Sequence, residues 1–147
     1  MNLTIRSVDV SYIHQIWPTV KPYLEDALNK GHDFPDWAYC YNIDHVQQYV
    51  TSGQWLLLVA IDEDQKIHGA GTVSFINYPL HRVAFVTCIG GKLISNQNTF
   101  EQLKQLLKAH GATKIQGSGR EAIVRLWKRY NFEPRNTLVE VLILSLI

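Results

Sequence analysis

Charge is scarce in this sequence and balanced in sign. Asp, Glu, Lys and Arg make up 18% of its 147 residues, and 14 basic against 13 acidic side chains leave a formal net charge of +1. A chain with so little net field offers no general footprint for nucleic acid or for an anionic membrane surface. Cysteine is equally sparse. Cys40 and Cys88 lie far apart, at no metal-ligand spacing, and read as reduced thiols in a reducing compartment. None of the histidines forms an H-x-x-x-H or H-E-x-x-H pair, so no metal is expected. "MNLTIRSVDV" lacks a basic leader followed by an apolar run, which argues against a signal peptide. The longest apolar stretch, "TLVEVLILSLI", is broken by Glu140 and is too short to span a bilayer. These absences point to a cytoplasmic chain with no membrane partner.

What is present is enough apolar residue, 46%, for one domain with one core, over residues 1–147. "LTIR" reads as a short first strand. Ile13, Ile16, Trp17, Val20, Leu24, Ala27 and Leu28 follow at helical spacing, and Pro18 and Pro22 predict a kink or two short helices. Residues 30–42 are aromatic, acidic and irregular. Asp44 is placed to cap a short helix that stops near Gly53. "QWLLLVAI", the turn "DEDQK" and "IHGAGTVSFI" form a hairpin. Gly69 and Gly71 inside its second strand predict a bulge or a close backbone approach. "HRVAFVTCI" is a long strand ending at about Ile89. A helix begins near Asn98, with Thr99 and Gln102 as a capping box and Gly111 as its stop. "TKIQG", a helix marked by Ile123, Leu126, Trp127 and Tyr130, and a long strand from about Leu138 complete the chain. The fold class is α/β: a mixed, mostly antiparallel sheet with helices on both faces.

The stretch "CIGGKLISNQNTFEQL" joins a strand to a helix through two glycines and a polar loop. That order of parts suits a phosphate cradle, because backbone N–H groups at a helix start, aided by the helix dipole, bind anions. The element order around it resembles the GNAT fold of N-acetyltransferases. "GREAIVRLWKRYNFEP" resembles that family's last helix and the following turn, which ends in Tyr-x-x-x-Gly-Phe; Phe132 then takes the place of its Phe, Asn131 of its Gly and Trp127 of its Tyr. "WPTVKPYLEDAL", "YPLHRVAFV", "IGG" and "GREAIVR" resemble, in order, GNAT-like proteins encoded by tailed bacteriophages.

The resemblance implies a set of roles. Acetyl-CoA or another acyl-CoA would lie along Thr87, Cys88, Ile89, Gly90 and Gly91 and at the helix start formed by Asn96, Asn98 and Thr99. The family's cradle, Gln/Arg-x-x-Gly-x-Gly/Ala, is replaced here by adjacent glycines that come early, so Ser95 to Thr99 must supply N–H groups without glycine. Trp127 cannot act as the acid that reprotonates the departing thiolate. Tyr130, nearly one turn on, is the candidate acid, although its spacing also places it on the core face. Asp33 and Asp36, with His32, Trp37 and Tyr41, fall where the family lines its acceptor site, and are candidates for the general base. Cys88 has no base near it in sequence to make it a nucleophile. Arg120, Arg125, Lys128, Arg129 and Arg135 form the one local basic cluster.

Two readings stay open. In the first, the chain is an acyl-CoA-dependent N-acyltransferase whose acceptor is an amine on a small molecule or a protein. In the second, it is a non-catalytic GNAT-fold protein of a phage, acting in the virion or on a host protein. The apolar C-terminal strand, if it lies at a sheet edge, would pair into a homodimer.

Overall fold

The computed structural model describes residues 2–30, 41–118 and 121–135, together with 139, 141 and 143. The described residues form five strands in the order β1-β2-β3-β4-β5, with β1 at Thr4–Ser7, β2 at Trp55–Ile61, β3 at Ile67–Asn77, β4 at Arg82–Gly91 and β5 at Lys114–Gly117. The first four pair antiparallel, and β5 runs parallel to β4. The helices are α1 (Ile13–Lys30), α2 (Ile43–Thr51), α3 (Gln97–Ala109) and α4 (Glu121–Lys128). This is a mixed, mostly antiparallel sheet flanked by helices.

Two cores form because β2 is apolar on both faces. Leu57, Val59 and Ile61 pack with Ile13, Trp17, Val20 and Leu24 of α1 and with Val46 and Val50 of α2. Leu58 and Ala60 face the opposite core, with Leu103 and Leu107 of α3, Trp127 of α4, and Ile5 of β1. The spacing of three and four along each helix and of two along the strand puts these residues on single faces.

The prolines do not divide α1, which is one helix of 18 residues. Pro18 and Pro22 both lie on its exposed side, where the carbonyls they leave unpaired meet water. The caps also differ from the sequence reading. Asn42, not Asp44, caps α2, its side chain accepting from the N–H groups of Asp44 and His45. The α3 capping box is Asn96 with Thr99, and the helix begins at Gln97. Gln102 instead reaches across to β1, where it accepts from Ile5 N at 2.9 Å and donates to Leu3 O at 3.0 Å. Gly53 and Gly111 both have positive φ, 81° and 88°, just past the ends of α2 and α3.

The β2–β3 turn is closed by Asp62, whose carboxylate accepts from the N–H groups of Asp64 and Lys66 and from His68 Nε2 at 2.8 Å. These bonds, that from His68 first, hold the Asp62 carboxyl below the usual range. Of the strand expected from Leu138 onward, residues 139, 141 and 143 are described. None of the three is in a strand, and Val139, Val141 and Ile143 are exposed.

Candidate functional site: the opening beside β4

Strand β4 does not end at Ile89; it runs on to Gly91, pairing Gly90 with Ala70 and Gly91 with Gly69 of β3. Its register with β3 shifts once: Thr72 faces Cys88, whereas Val73 faces Val86, so Thr87 is an extra residue. This bulge breaks the two-residue alternation. Val86 enters the α3 core and Cys88 the α1 core, although in a regular strand both would face the same way. At the same point β4 loses its other neighbour, because pairing with β5 covers only Val83–Val86 against Lys114–Gly117. Trp127 lies across that end of β5: a Cβ added to Gly117 would sit 2.2 Å from its ring. Beyond Val86 no strand among the described residues pairs with the outer edge of β4.

The direction of the backbone groups there follows from the ladder. Lys92 N donates to His68 O, so the even positions of this part of β4 are hydrogen-bonded towards β3. The N–H groups of Ile89 and Gly91 then point away from β3, and that of Ile89 also lies within reach of the Cys88 sulfur. Thr87 Oγ1 donates to Thr72 O at 3.0 Å and lies 2.7 Å from Thr72 Oγ1, which pins the bulge. Its carbonyl accepts from the hydroxyl of Tyr41 at 2.8 Å. Tyr41 stands edge-on to Trp55, which in turn stacks on Tyr49 at 4.5 Å. A row of aromatic rings thus leads to the bulge. The sequence reading named Tyr41 only as lining; its aromatic, irregular surroundings were the signal for a larger role.

Cys88 is sealed from this opening. Its thiol is directed at Leu24 O, and burial pushes its pKa up to about 12, with the Ile89 N–H acting in the opposite sense. A thiol held neutral in this way is no nucleophile. Gly90 and Gly91 make room for α1. A Cβ on Gly90 would come within 2.2 Å of Tyr23 O, and one on Gly91 within 2.6 Å of the Tyr23 ring. Gly91 also has a φ of 63°, which favours glycine.

At the start of α3 the side chains of Asn96 and Thr99 are engaged in their own cap. Thr99 N donates to Asn96 Oδ1 at 2.9 Å, and Thr99 Oγ1 accepts from the N–H groups of Ser95 and Asn96. Thr99 is buried, whereas Ser95, Asn96, Gln97 and Asn98 are exposed. The N–H groups of Gln97 and Asn98, in the first turn, have no partner within the helix. They suit one phosphate at an exposed helix start, while the side chains around them restrict the close approach that glycines would permit.

Tyr130 is brought to this helix start, its ring stacked on Phe100 of the first turn at 4.9 Å. Asn131 has a φ of 69°, a backbone shape that suits glycine and that asparagine tolerates, at the position where the resemblance places a glycine. Trp127 is buried against Phe132. Asp33, Asp36, His32 and Trp37 lie outside the described residues, as does Arg120. Arg125, Lys128, Arg129 and Arg135 are exposed, and Arg135 pairs with Glu133 at 3.1 Å. Among the described residues no group of three or more His, Cys, Asp or Glu could hold a metal, and no helix is long and apolar enough to cross a membrane.

No protein-family model matches the sequence, and no curated protein matches it. Solved structures do resemble it. An aminoglycoside acetyltransferase from an uncultured soil metagenomic sample superposes with a TM-score of 0.66 at 14% identity, over 97% of this chain and 99% of the other. A predicted acetyltransferase from Clostridium acetobutylicum, solved with acetyl-CoA, gives 0.64 at 16% identity, over 95% and 96%. Glucosamine-6-phosphate N-acetyltransferase from Arabidopsis thaliana gives 0.57 at 12% identity, over 97% and 99%. The sheet order, the flanking helices and these superpositions agree: the chain has the GNAT acyl-CoA transferase fold.

Proposed function

We propose that this chain is a single-domain, acyl-CoA-dependent N-acyltransferase acting on an amine-bearing small molecule or protein. The observation that carries this reading is the bulge at Thr87, where β4 parts from β5 and turns the N–H groups of Ile89 and Gly91 away from β3. An acyl-CoA supplies an activated thioester. The Gln97 and Asn98 N–H groups would take a phosphate of the cofactor, and the Ile89 N–H would polarise the thioester carbonyl as negative charge develops on its oxygen. The acceptor amine would come in beside Tyr41 and Trp55, and lose its proton to Asp33 or Asp36. Tyr130, beside the first turn of α3, would return a proton to the departing thiolate. The exposed Val139, Val141 and Ile143 would be available to a second copy of the chain.

Titration with acetyl-CoA, followed by thermal shift and calorimetry, tests the reading. Ligand at about a hundred times its dissociation constant should add ~2.7 kcal/mol of stability. No shift at millimolar cofactor would end the proposal. Where binding occurs, release of free coenzyme A in the presence of amino sugars, aminoglycosides and lysine peptides identifies the acceptor class.

A second reading rests on Trp127. It is buried where the resemblance places a catalytic tyrosine, and the glycines are occupied with α1. On that reading the chain is a non-catalytic GNAT-fold protein of a tailed phage, carried in the virion or bound to a host protein. Its presence in purified particles, with no coenzyme A release, supports this; acetylation of a defined amine excludes it.

A further inference from the structure

A cavity of about 260 Å³ lies at the opposite end of the sheet from Gly91 and the α3 start. Val10, Ile13, Trp55 and Phe75 give it apolar walls, and Arg82 and His110 stand on it as well. It exists because β1 stops short. β1 ends at Ser7, and the chain then folds into a 3-10 turn at Val10–Tyr12. Val8 N donates to Leu57 O, so the odd positions of β2 face the β1 side. The peptide N–H and carbonyl of Trp55 therefore face a side that no strand among the described residues covers.

Arg82 is held in one place at this cavity. Its Nε donates to His110 O at 3.0 Å and one terminal nitrogen to Asn77 Oδ1 at 2.9 Å. Its guanidinium carbon lies 4.3 Å above the Phe75 ring, which also stacks on His110. These bonds use two of the five guanidinium N–H groups. No acidic side chain among the described residues pairs with it. A fixed cation with donors to spare, next to an apolar cavity, is complementary to an anion that carries a flat apolar body.

We propose that this cavity is a binding site for a small aromatic carboxylate. The ring lies among Val10, Ile13, Trp55 and Phe75, and the carboxylate takes the remaining Arg82 donors. At about 260 Å³ the space falls just below the ~300–1,000 Å³ of drug-sized sites, so one ring or two fused rings fit and a nucleotide does not. The site shares Trp55 with the aromatic row that leads to the opening beside β4, but Arg82, Phe75 and His110 belong to it alone, and it stands whether or not the chain transfers acyl groups.

The test uses benzoate and indole-3-carboxylate as probes, with their carboxamides as neutral matches, followed by amide NMR shifts on the whole chain. The expected result is saturable shifts confined to Gly53, Trp55, Phe75, Arg82 and His110, with the carboxamides weaker by at least about tenfold, equivalent to ~1.4 kcal/mol. Arg82→Gln should erase that preference and Arg82→Lys retain it. Val10→Trp, which fills the space and leaves Arg82 in place, should abolish binding of acid and amide alike. Any one of three results overturns the proposal: no saturable shift at millimolar probe, shifts centred elsewhere, or equal affinity for acid and amide in the wild-type chain.

Discussion

Cys88 sits one residue past the bulge and yet has its thiol in the α1 core, directed at Leu24 O. Burial raises its pKa from 9.0 to about 12, so the folded chain favours the protonated thiol. Between those values the unfolded chain binds fewer protons than the folded one, and stability falls as pH rises. Below pH ~9 the group has no influence on the balance. In a Cys40→Ser background, a thiol reagent at neutral pH should therefore label Cys88 only as fast as the chain unfolds, and labelling should become immediate in denaturant. Rapid labelling of the native chain would show that the thiol is open to the site. At this scale the sequence was a good guide to chemistry and a poor guide to position. The absence of a base near Cys88 already argued against a nucleophile. That Gly90 and Gly91 lie under Tyr23 was not legible, because a close approach between a strand and a helix some 70 residues earlier leaves no local signature beyond the glycines themselves.

Among the elements, α3 presents backbone N–H groups at its start without a glycine loop. Asn96 and Thr99 satisfy each other, and the N–H groups of Gln97 and Asn98 remain at an exposed first turn. Asn98→Asp separates helix stability from cofactor binding. A carboxylate in the first turn favours the helix by about 0.3–1 kcal/mol through the dipole, and it repels a phosphate placed there. The variant should melt at or slightly above the wild-type temperature while its acetyl-CoA affinity drops about tenfold, or ~1.4 kcal/mol. Unchanged affinity would move the phosphate away from this turn. The existence of α3 and its stop at Gly111 were legible from apolar spacing. The identity of its cap was not, since Asn96 with Thr99 and Thr99 with Gln102 are both sound patterns, and the choice was decided by Gln102 finding unpaired backbone on β1. For α1, proline counted as a break in the sequence, whereas in the fold both prolines face water and leave the buried stripe intact.

For the whole molecule, element order was enough to reach the fold even though superposed acetyltransferases share only 12–16% of its residues. Order survives because it depends on hydrophobic periodicity, which many sequences satisfy. The bulge was not legible, since one extra residue in a strand alters no periodicity that can be read over so short a span. Yet it determines both how the two cores share β4 and where the sheet opens. Deleting Thr87 tests this directly. The ladder on either side pairs Val86 with Val73 and Cys88 with Thr72, so removal of the extra residue leaves both pairings and both faces in place. What disappears is the bend, together with the Tyr41 contact and the partner of the buried Thr72 hydroxyl. Losing that partner costs about 1–3 kcal/mol, and Thr72→Val in the same chain removes the stranded hydroxyl. The double variant should therefore fold, with its near-UV spectrum retained and β4 straightened. Acetyl-CoA binding should be lost, because the bend that shapes the outer edge of β4 beside the proposed thioester position is gone. A folded double variant that binds acetyl-CoA as the wild type does would place the thioester somewhere other than the outer edge of β4.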